Sequence, residues 1–275
     1  MRALRHASVA VTAAVLLTGL TACGSDGKPV AKADATAAGD AVAAQVADLD
    51  PKAALTAAAL VMQKAGNGNI QLTTPDEVGT GTADWRDRTA VDVTGKTGNK
   101  MRVVGDDLYL GGGPNVTAVL GGKHWAKADP KDPVVGPMTG TFLTSAQMVN
   151  PVLQLGVAAQ AGKPVKVGQE TLDGGETTHY RAVEDAAKLI EGLTTLAPDQ
   201  RAVVQKTLDR DGKTLTVDFW LNAKQELVQL KEYGDKGGVA TSVTVKYSGL
   251  GTAPAITAPA AGDVGSAAAL AKLLG

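Results

Sequence analysis

The sequence is poor in the residue types that most often carry chemistry or bind nucleic acid. A single Cys among 275 residues excludes an intramolecular disulfide and any multi-Cys metal site. The 27 Lys and Arg residues are balanced by 28 Asp and Glu, so the chain lacks the basic surplus that binding to nucleic-acid phosphates requires. Aromatic residues make up 3% of the chain. A core without large rings must be filled by aliphatic side chains, or it stays partly unfilled.

The first 22 residues have the layout of an export signal. Arg2 and Arg5 supply a positively charged start, and Val9–Leu17 form an apolar run. This run is shorter than the roughly 20 apolar residues that cross a bilayer as a helix. We therefore expect residues 1–22 to direct export and then to be removed.

The stretch Leu20-Thr21-Ala22-Cys23 ends this signal and resembles the lipobox of bacterial lipoproteins. The resemblance implies that the Cys23 thiol receives a diacylglyceryl group and that cleavage makes Cys23 the acylated N-terminus. Acyl chains such as palmitate would then hold the protein on the extracytoplasmic face of the cell membrane. The alternative is an ordinary secretory signal with an incidental Cys. Residues 23–40 are small and polar without apolar periodicity, which predicts a flexible tether.

Hydrophobic periodicity predicts an α+β fold for residues 41–250, taken as one domain, in which helices cover one face of a long antiparallel sheet. Apolar residues recur at helical spacing in some stretches, and short alternating runs between turn residues indicate strands in others. Because successive strands lie only a few residues apart, they must pair antiparallel. The predicted order is a helix at 41–65, strands at 69–127, a loop at 129–140, a helix at 144–159 kinked or divided at Pro151, strands at 163–181, a helix at 184–208 broken near Pro198, and three strands at 214–247. Residues 251–275 are predicted to form a Pro/Ala-rich tail.

No group of residues has the spacing of a catalytic, metal or cofactor site. Downstream of Cys23 the His residues are His124 and His179, which lie far apart in probable strands and have no carboxylates clustered with them in sequence. Ser25 and Lys28 have Ser-x-x-Lys spacing, but they lie in the predicted tether, where no rigid geometry can form. We therefore expect a protein that is not an enzyme and that needs no metal or cofactor.

Three segments carry a resemblance to a known family. They are Gly-Asp-Asp-Leu-Tyr-Leu at 105–110, Gly-Lys-His-Trp-Ala-Lys at 122–127, and Val-Asp-Phe-Trp-Leu-Asn-Ala-Lys-Gln-Glu-Leu-Val-Gln-Leu at 217–230. Together with the lipobox and the Ala-rich helix after it, they resemble the actinobacterial LppX/LprG-type lipoproteins, which are related in fold to the LolA/LolB carriers. The resemblance implies a half-barrel, a strongly curved antiparallel sheet with helices covering its concave face. It also implies a hydrophobic cavity for acyl chains, and a protein that binds or transfers lipids, glycolipids or lipidated molecules in the cell envelope.

The residues that would line such a cavity are apolar and lie on the predicted strands and covering helix. They are Val103, Leu108, Leu110, Met148, Val152, Leu155, Val217, Phe219, Val243 and Val245. The helix around Pro151 and the loop before it are candidates for a gate. The alternative is that all ten side chains are ordinary core, in which case the protein is a non-catalytic envelope scaffold or sensor-partner module with a filled core. A protein partner in the envelope is compatible with either alternative.

Overall fold

The computed structural model describes residues 49–132, 135–192, 198–266 and 268–270. The predicted signal peptide, Cys23 and the tether lie outside the described residues, as does the first part of the helix predicted at 41–65.

The described strands form one unclosed sheet of twelve strands, which confirms the predicted α+β fold with a curved antiparallel sheet. Their order across the sheet is β12-β6-β5-β4-β3-β2-β1-β11-β10-β9-β8-β7, and the pairs are antiparallel except for β12 with β6. The strands are β1 (Asn67–Thr73), β2 (Val78–Asp84), β3 (Ala90–Gly95), β4 (Lys100–Val104), β5 (Asp107–Gly111), β6 (Trp125–Lys127), β7 (Val165–Leu172), β8 (Gly175–Asp185), β9 (Thr214–Asn222), β10 (Leu227–Gly234), β11 (Val243–Ser248) and β12 (Val264–Gly265).

Alternation of apolar residues identified the inner face of the sheet correctly. On β9 the side chains of Leu215, Val217, Phe219 and Leu221 are all at most 2% exposed, as the strict alternation over 214–221 predicts. The final strand, predicted from Val239, begins at Val243, because Gly238–Thr241 form a 3-10 turn before it.

The helices are α1 (Pro51–Ala65), α2 (Pro114–Val119), α3 (Gly136–Met148), α4 (Pro151–Gln160), α5 (Ala186–Gly192) and α6 (Pro198–Asp211). The start of α1 follows from its sequence: the Asp50 carboxylate accepts the N–H groups of Lys52 and Ala53, and Pro51 needs no partner in the first turn. The helix ends at Gly66, which adopts a left-handed conformation with φ of 73°.

Two helix boundaries were also wrong. The loop predicted at 129–140 ends early because α3 begins at Gly136, where a Pro in the first turn costs no hydrogen bond. The helix predicted from residue 184 begins at Ala186, because Glu184 and Asp185 continue β8 and pair with Leu215 and Thr214. The predicted division at Pro151 is confirmed: α3 and α4 meet there, and the Asn150 side chain caps the second helix.

The main core lies between the inner face of the sheet and helices α1, α3 and α4. Leu55 and Met62 of α1 and Leu155 of α4 are fully buried against strand residues such as Phe219. A second, smaller cluster lies beside it, where Leu189 of α5 and Leu208 of α6 pack with Leu215. The helices therefore cover the concave face, as the resemblance implied.

The described part of the segment after residue 250, predicted as a Pro/Ala-rich tail, runs along the sheet. The Ala253 N–H donates to the Asn67 side chain on β1, and Arg102 on β4 donates to the carbonyl of Thr257. The segment then adds β12 beside β6, and Leu270 beyond it is 3% exposed in the main core.

Candidate functional site

A cavity of about 520 Å³ lies at one end of the concave face. Its walls come from the five strands β1 to β5, from α2 and α3, and from the segment after β12. The apolar side chains that line it are Leu72, Val93, Met101, Leu110, Val116, Phe142 and Leu270. A largely apolar, concave space of this size falls in the range of about 300–1,000 Å³ that is typical of small-molecule sites.

Glycine explains why this end of the sheet is not filled. Leu72 pairs with Gly79, and Gly79 pairs with Gly95, so one row across three strands carries a single side chain. A β-carbon on Gly79 would lie 2.6 Å from Val93 Cγ1, and one on Gly95 would overlap the Glu77 carboxylate. Gly79 and Gly95 therefore contribute only backbone to the cavity wall, and the side chains of Val93 and Glu77 lie against them where a β-carbon would sit.

The mouth of the cavity is polar. It is lined by Thr74, Glu77, Asn99 and Lys100 at the turns that join β1 to β2 and β3 to β4, and by Ser145 of α3. Glu77 ties the two turns together: its carboxylate accepts the Thr97 hydroxyl at 2.9 Å, and its N–H donates to Thr74 Oγ1 at 3.0 Å. An apolar interior below a mouth with one carboxylate and one ammonium suits an amphipathic ligand.

Of the ten residues predicted to line a cavity, Leu110 lines this one. Val152 is partly buried against the main core, Met148 is partly buried against the second cluster, and Val243 is 36% exposed at the first position of β11. The other six are at most 2% exposed and fill the main core; they are Val103, Leu108, Leu155, Val217, Phe219 and Val245. The prediction located the concave face but not the part of it that is open.

A buried polar group lies on the inner face of β8. Glu184 on β8 is 1% exposed, and neither of its carboxyl oxygens has a hydrogen-bond partner. Burial, together with the nearby charge of Glu232, raises the pKa of Glu184 to about 8. With this pKa, Glu184 keeps its proton at pH 7. Nearby, Gln154 of α4 donates to the carbonyl of Met148 at 3.1 Å and to Glu232 at 3.4 Å.

A charged network lies on the outer face of β7, β8 and β9. The two ring nitrogens of His179 lie 2.7 Å from Glu170 Oε1 and 2.8 Å from Asp218 Oδ1. Arg181 donates twice to Asp218, and the Trp220 indole N–H donates to Glu170. The Trp220 and His179 hydrogen bonds hold the pKa of Glu170 below its usual value. The sequence did not reveal these carboxylates, because strand pairing and not sequence proximity brings them to His179.

Within the described residue ranges, no three or more His, Cys, Asp or Glu side chains are grouped so that they could hold a metal ion. Among the helices of the same ranges, none combines the length and apolar character needed to cross a membrane.

Comparison with known proteins gives one curated relative and several solved structures. An uncharacterized 31.2 kDa protein of Streptomyces griseus, encoded in the rplA–rplJ intergenic region, is 33% identical over 168 residues. The match covers 60% of this chain and 55% of the relative, so it spans about half of that protein's length. No family model matches the chain.

The solved structures that are similar include members of the groups named by the resemblance. LprF from Mycobacterium bovis is 14% identical, covering 77% of this chain and 100% of that chain with a TM-score of 0.47. LppX from Mycobacterium tuberculosis is 13% identical, covering 74% and 98% with a TM-score of 0.42. A LolA superfamily protein from Nitrosomonas europaea is 11% identical, covering 73% and 92% with a TM-score of 0.26. Identities this low concern the fold alone, and the function proposed below rests on the cavity of this chain.

Proposed function

We propose that this chain is a membrane-anchored lipoprotein that binds or transfers a lipid or lipidated molecule in the cell envelope through its cavity. The observation that carries the proposal is the open, glycine-floored cavity with apolar walls and a polar mouth. Each buried methylene contributes about 0.8 kcal/mol, so about ten methylenes of an acyl chain would contribute roughly 8 kcal/mol before the costs of association. The polar headgroup would stay at the mouth beside Glu77 and Lys100.

The proposal treats the chain as a binding protein and not as an enzyme. The open volume favours it over the alternative of a scaffold or sensor-partner module with a filled core. The buried residues Val103, Leu108 and Phe219 fit the filled-core alternative, but the row that contains Gly79 and Gly95 does not.

The anchor and the domain limits belong to the same proposal. Residues 1–22 are the signal peptide, Cys23 carries the acyl chains, residues 23–40 are the tether, and the domain begins at about residue 41. Replacing Cys23 by Ala should move the protein from the membrane fraction into the soluble fraction of the envelope. Retention of the Cys23→Ala chain in the membrane fraction would refute the anchor.

Ligand binding is tested by filling the cavity from α2. Val116 lines the cavity, whereas Val119 on the same short helix is 46% exposed and does not. We expect Val116→Trp to abolish uptake of a fluorescent palmitoyl probe by the full chain, and Val119→Trp, the matched control, to leave uptake unchanged. Extraction of the wild-type chain from its native host should yield a lipid by mass spectrometry. If no lipid copurifies and the probe is not taken up, the proposal is refuted.

A further inference from the structure

The segment from 251 to 266 crosses the outer face of the sheet from its middle to one edge. It starts beside β1, where the Gly251 and Ala253 N–H groups donate to Asn67. It passes over β4, where Arg102 donates to the Thr257 carbonyl at 3.1 Å. It then reaches the far edge and adds β12 outside β6. We call residues 251–266 and 268–270 the strap.

The strap is held to the rest of the domain mainly by polar contacts near the surface. His124 contacts the Asp263 carboxylate through its backbone N–H at 3.0 Å and its ring Nδ1 at 2.8 Å, and the two side chains are 59% and 37% exposed. Lys123 donates to the carbonyl of Gly262. Strand pairing covers two residues, Val264 and Gly265. Short, exposed attachments of this kind open more readily than the central strands of a sheet.

Past β12 the strap turns around the sheet edge and enters the cavity. Ser266 begins a helical turn, because its side-chain oxygen accepts the Ala269 N–H and its carbonyl accepts the N–H groups of Ala269 and Leu270. This turn places Leu270 among the residues that line the cavity, where its side chain is 3% exposed. One strongly buried leucine that follows a weakly attached segment has the arrangement of a plug.

We propose that Leu270 is a replaceable plug that occupies part of the cavity in the empty protein and is displaced by the apolar end of a long ligand. This inference rests on the proposed function. Leu270 and the far end of an acyl chain would compete for the same apolar walls, formed by side chains such as Leu110, Val116 and Phe142. A short ligand would bind beside Leu270, whereas a long one would have to expel it. Leu270 thereby sets the ligand length that the cavity accepts most readily.

The plug is tested on the full chain with dodecanoyl and palmitoyl probes that carry the same fluorophore. For Leu270→Ala we expect the palmitoyl probe to bind about tenfold tighter, because the ligand no longer displaces a buried leucine. Affinity for the dodecanoyl probe should stay unchanged. Leu270→Met keeps a large apolar side chain and should bind both probes like the wild type. Leu227 is equally buried in the main core but does not line the cavity, so Leu227→Ala should lower stability without changing either affinity.

Displacement is read directly by hydrogen exchange. In the wild type, the amides of Val264, Gly265, Ala269 and Leu270 should lose protection when the palmitoyl probe saturates the protein and keep it with the dodecanoyl probe. If both probes bind but strap protection and the Leu270→Ala affinities stay unchanged, the plug is refuted and the lipid-binding function stands. If neither probe binds to the wild type or to Leu270→Ala, the proposed function fails and the plug fails with it. Circular dichroism of each variant reports whether the sheet is intact.

Discussion

Replacing Glu184 by Gln should make the folded protein more stable at neutral and alkaline pH but not at acidic pH. Glu184 is buried on the inner face of β8, with both carboxyl oxygens unpartnered and Glu232 nearby. Gln has the size of the protonated acid and cannot ionise. The substitution therefore removes the titration of this site while keeping its shape.

The magnitude follows from the difference between the pKa values of Glu184 in the unfolded and folded states, 4.5 and about 8. Below pH 4.5 the acid is protonated in both states, and the substitution changes little besides a constant offset. Between pH 4.5 and about 8 the unfolded chain releases the proton and the folded chain keeps it, so wild-type stability falls by about 1.4 kcal/mol per pH unit. Summed from pH 4.5 to pH 7, this gives a deficit of about 3 kcal/mol that Glu184→Gln should remove. Above pH 8 the difference should level off.

The assay is urea unfolding followed by far-ultraviolet circular dichroism at pH values from 4 to 9, for the wild type, Glu184→Gln and a control. Glu191→Gln is a suitable control because Glu191 is exposed on the neighbouring helix α5. We expect the Glu184→Gln midpoint to move above that of the wild type as the pH rises, and the control to follow the wild type throughout. A difference between Glu184→Gln and the wild type that does not change from pH 4 to pH 8 would refute a buried, neutral Glu184.

Three further substitutions test the energetics of other contacts by the same unfolding assay. Asp218→Ala leaves Arg181 and His179 without their shared carboxylate and should lower the free energy of unfolding by about 2–4 kcal/mol. This is less than for a fully buried pair, because Arg181 is half-exposed. A loss under about 1 kcal/mol would contradict this prediction. Asp50→Ala removes the N-cap of α1 and should lower the free energy of unfolding by about 1 kcal/mol. An unchanged free energy of unfolding would mean that water replaces the cap. Arg88→Ala breaks an ion pair with Asp106 in which both side chains are over 70% exposed, and should change stability by less than about 0.5 kcal/mol.

The sequence predicted most reliably the elements whose pattern is local. The helix α1 lies within the helix predicted at 41–65: Asp50 followed by Pro51 is the local signal for its start, and Leu55, Ala58 and Met62 recur at helical spacing on its buried face. Strict alternation predicted β9 and its inner face. In both cases the buried positions follow the periodicity of a single helix or strand, so they can be recognised from residues that are close in sequence.

Features that depend on strand register could not be predicted in this way. Gly79 and Gly95 are adjacent in the sheet because β2 and β3 pair in one particular register, and no local pattern reveals that they share a row. His179 meets Asp218 for the same reason, through the pairing of β8 with β9. Leu270 lies in a segment whose composition indicates a tail, and its burial depends on a turn around the edge of the sheet. The ten residues predicted to line a cavity were chosen by apolar character, but the open volume is found where side chains are absent.

Replacing each of two glycines of β2 by Ala should have different effects on stability, and the difference tests this explanation of the cavity. In Gly79→Ala the new β-carbon meets the end of the Val93 side chain, which lines the cavity and has open space into which it can move. In Gly81→Ala, two residues along the same strand, the new β-carbon overlaps the backbone carbonyl of Asp92, which cannot move without breaking the pairing of β2 with β3. Gly79→Ala should therefore cost less than about 1 kcal/mol, whereas Gly81→Ala should cost about 2 kcal/mol or more.

The two variants should also separate stability from binding. Gly79→Ala reduces the volume available to a ligand, so it should weaken binding of the palmitoyl probe while the protein remains folded. Urea unfolding and probe titration on the same samples measure both quantities. A Gly79→Ala protein that binds the probe as tightly as the wild type would show that the bare backbone at Gly79 is not part of the ligand's space. The cavity would then have to be occupied from the side of Met101 and Leu110, away from the glycine row.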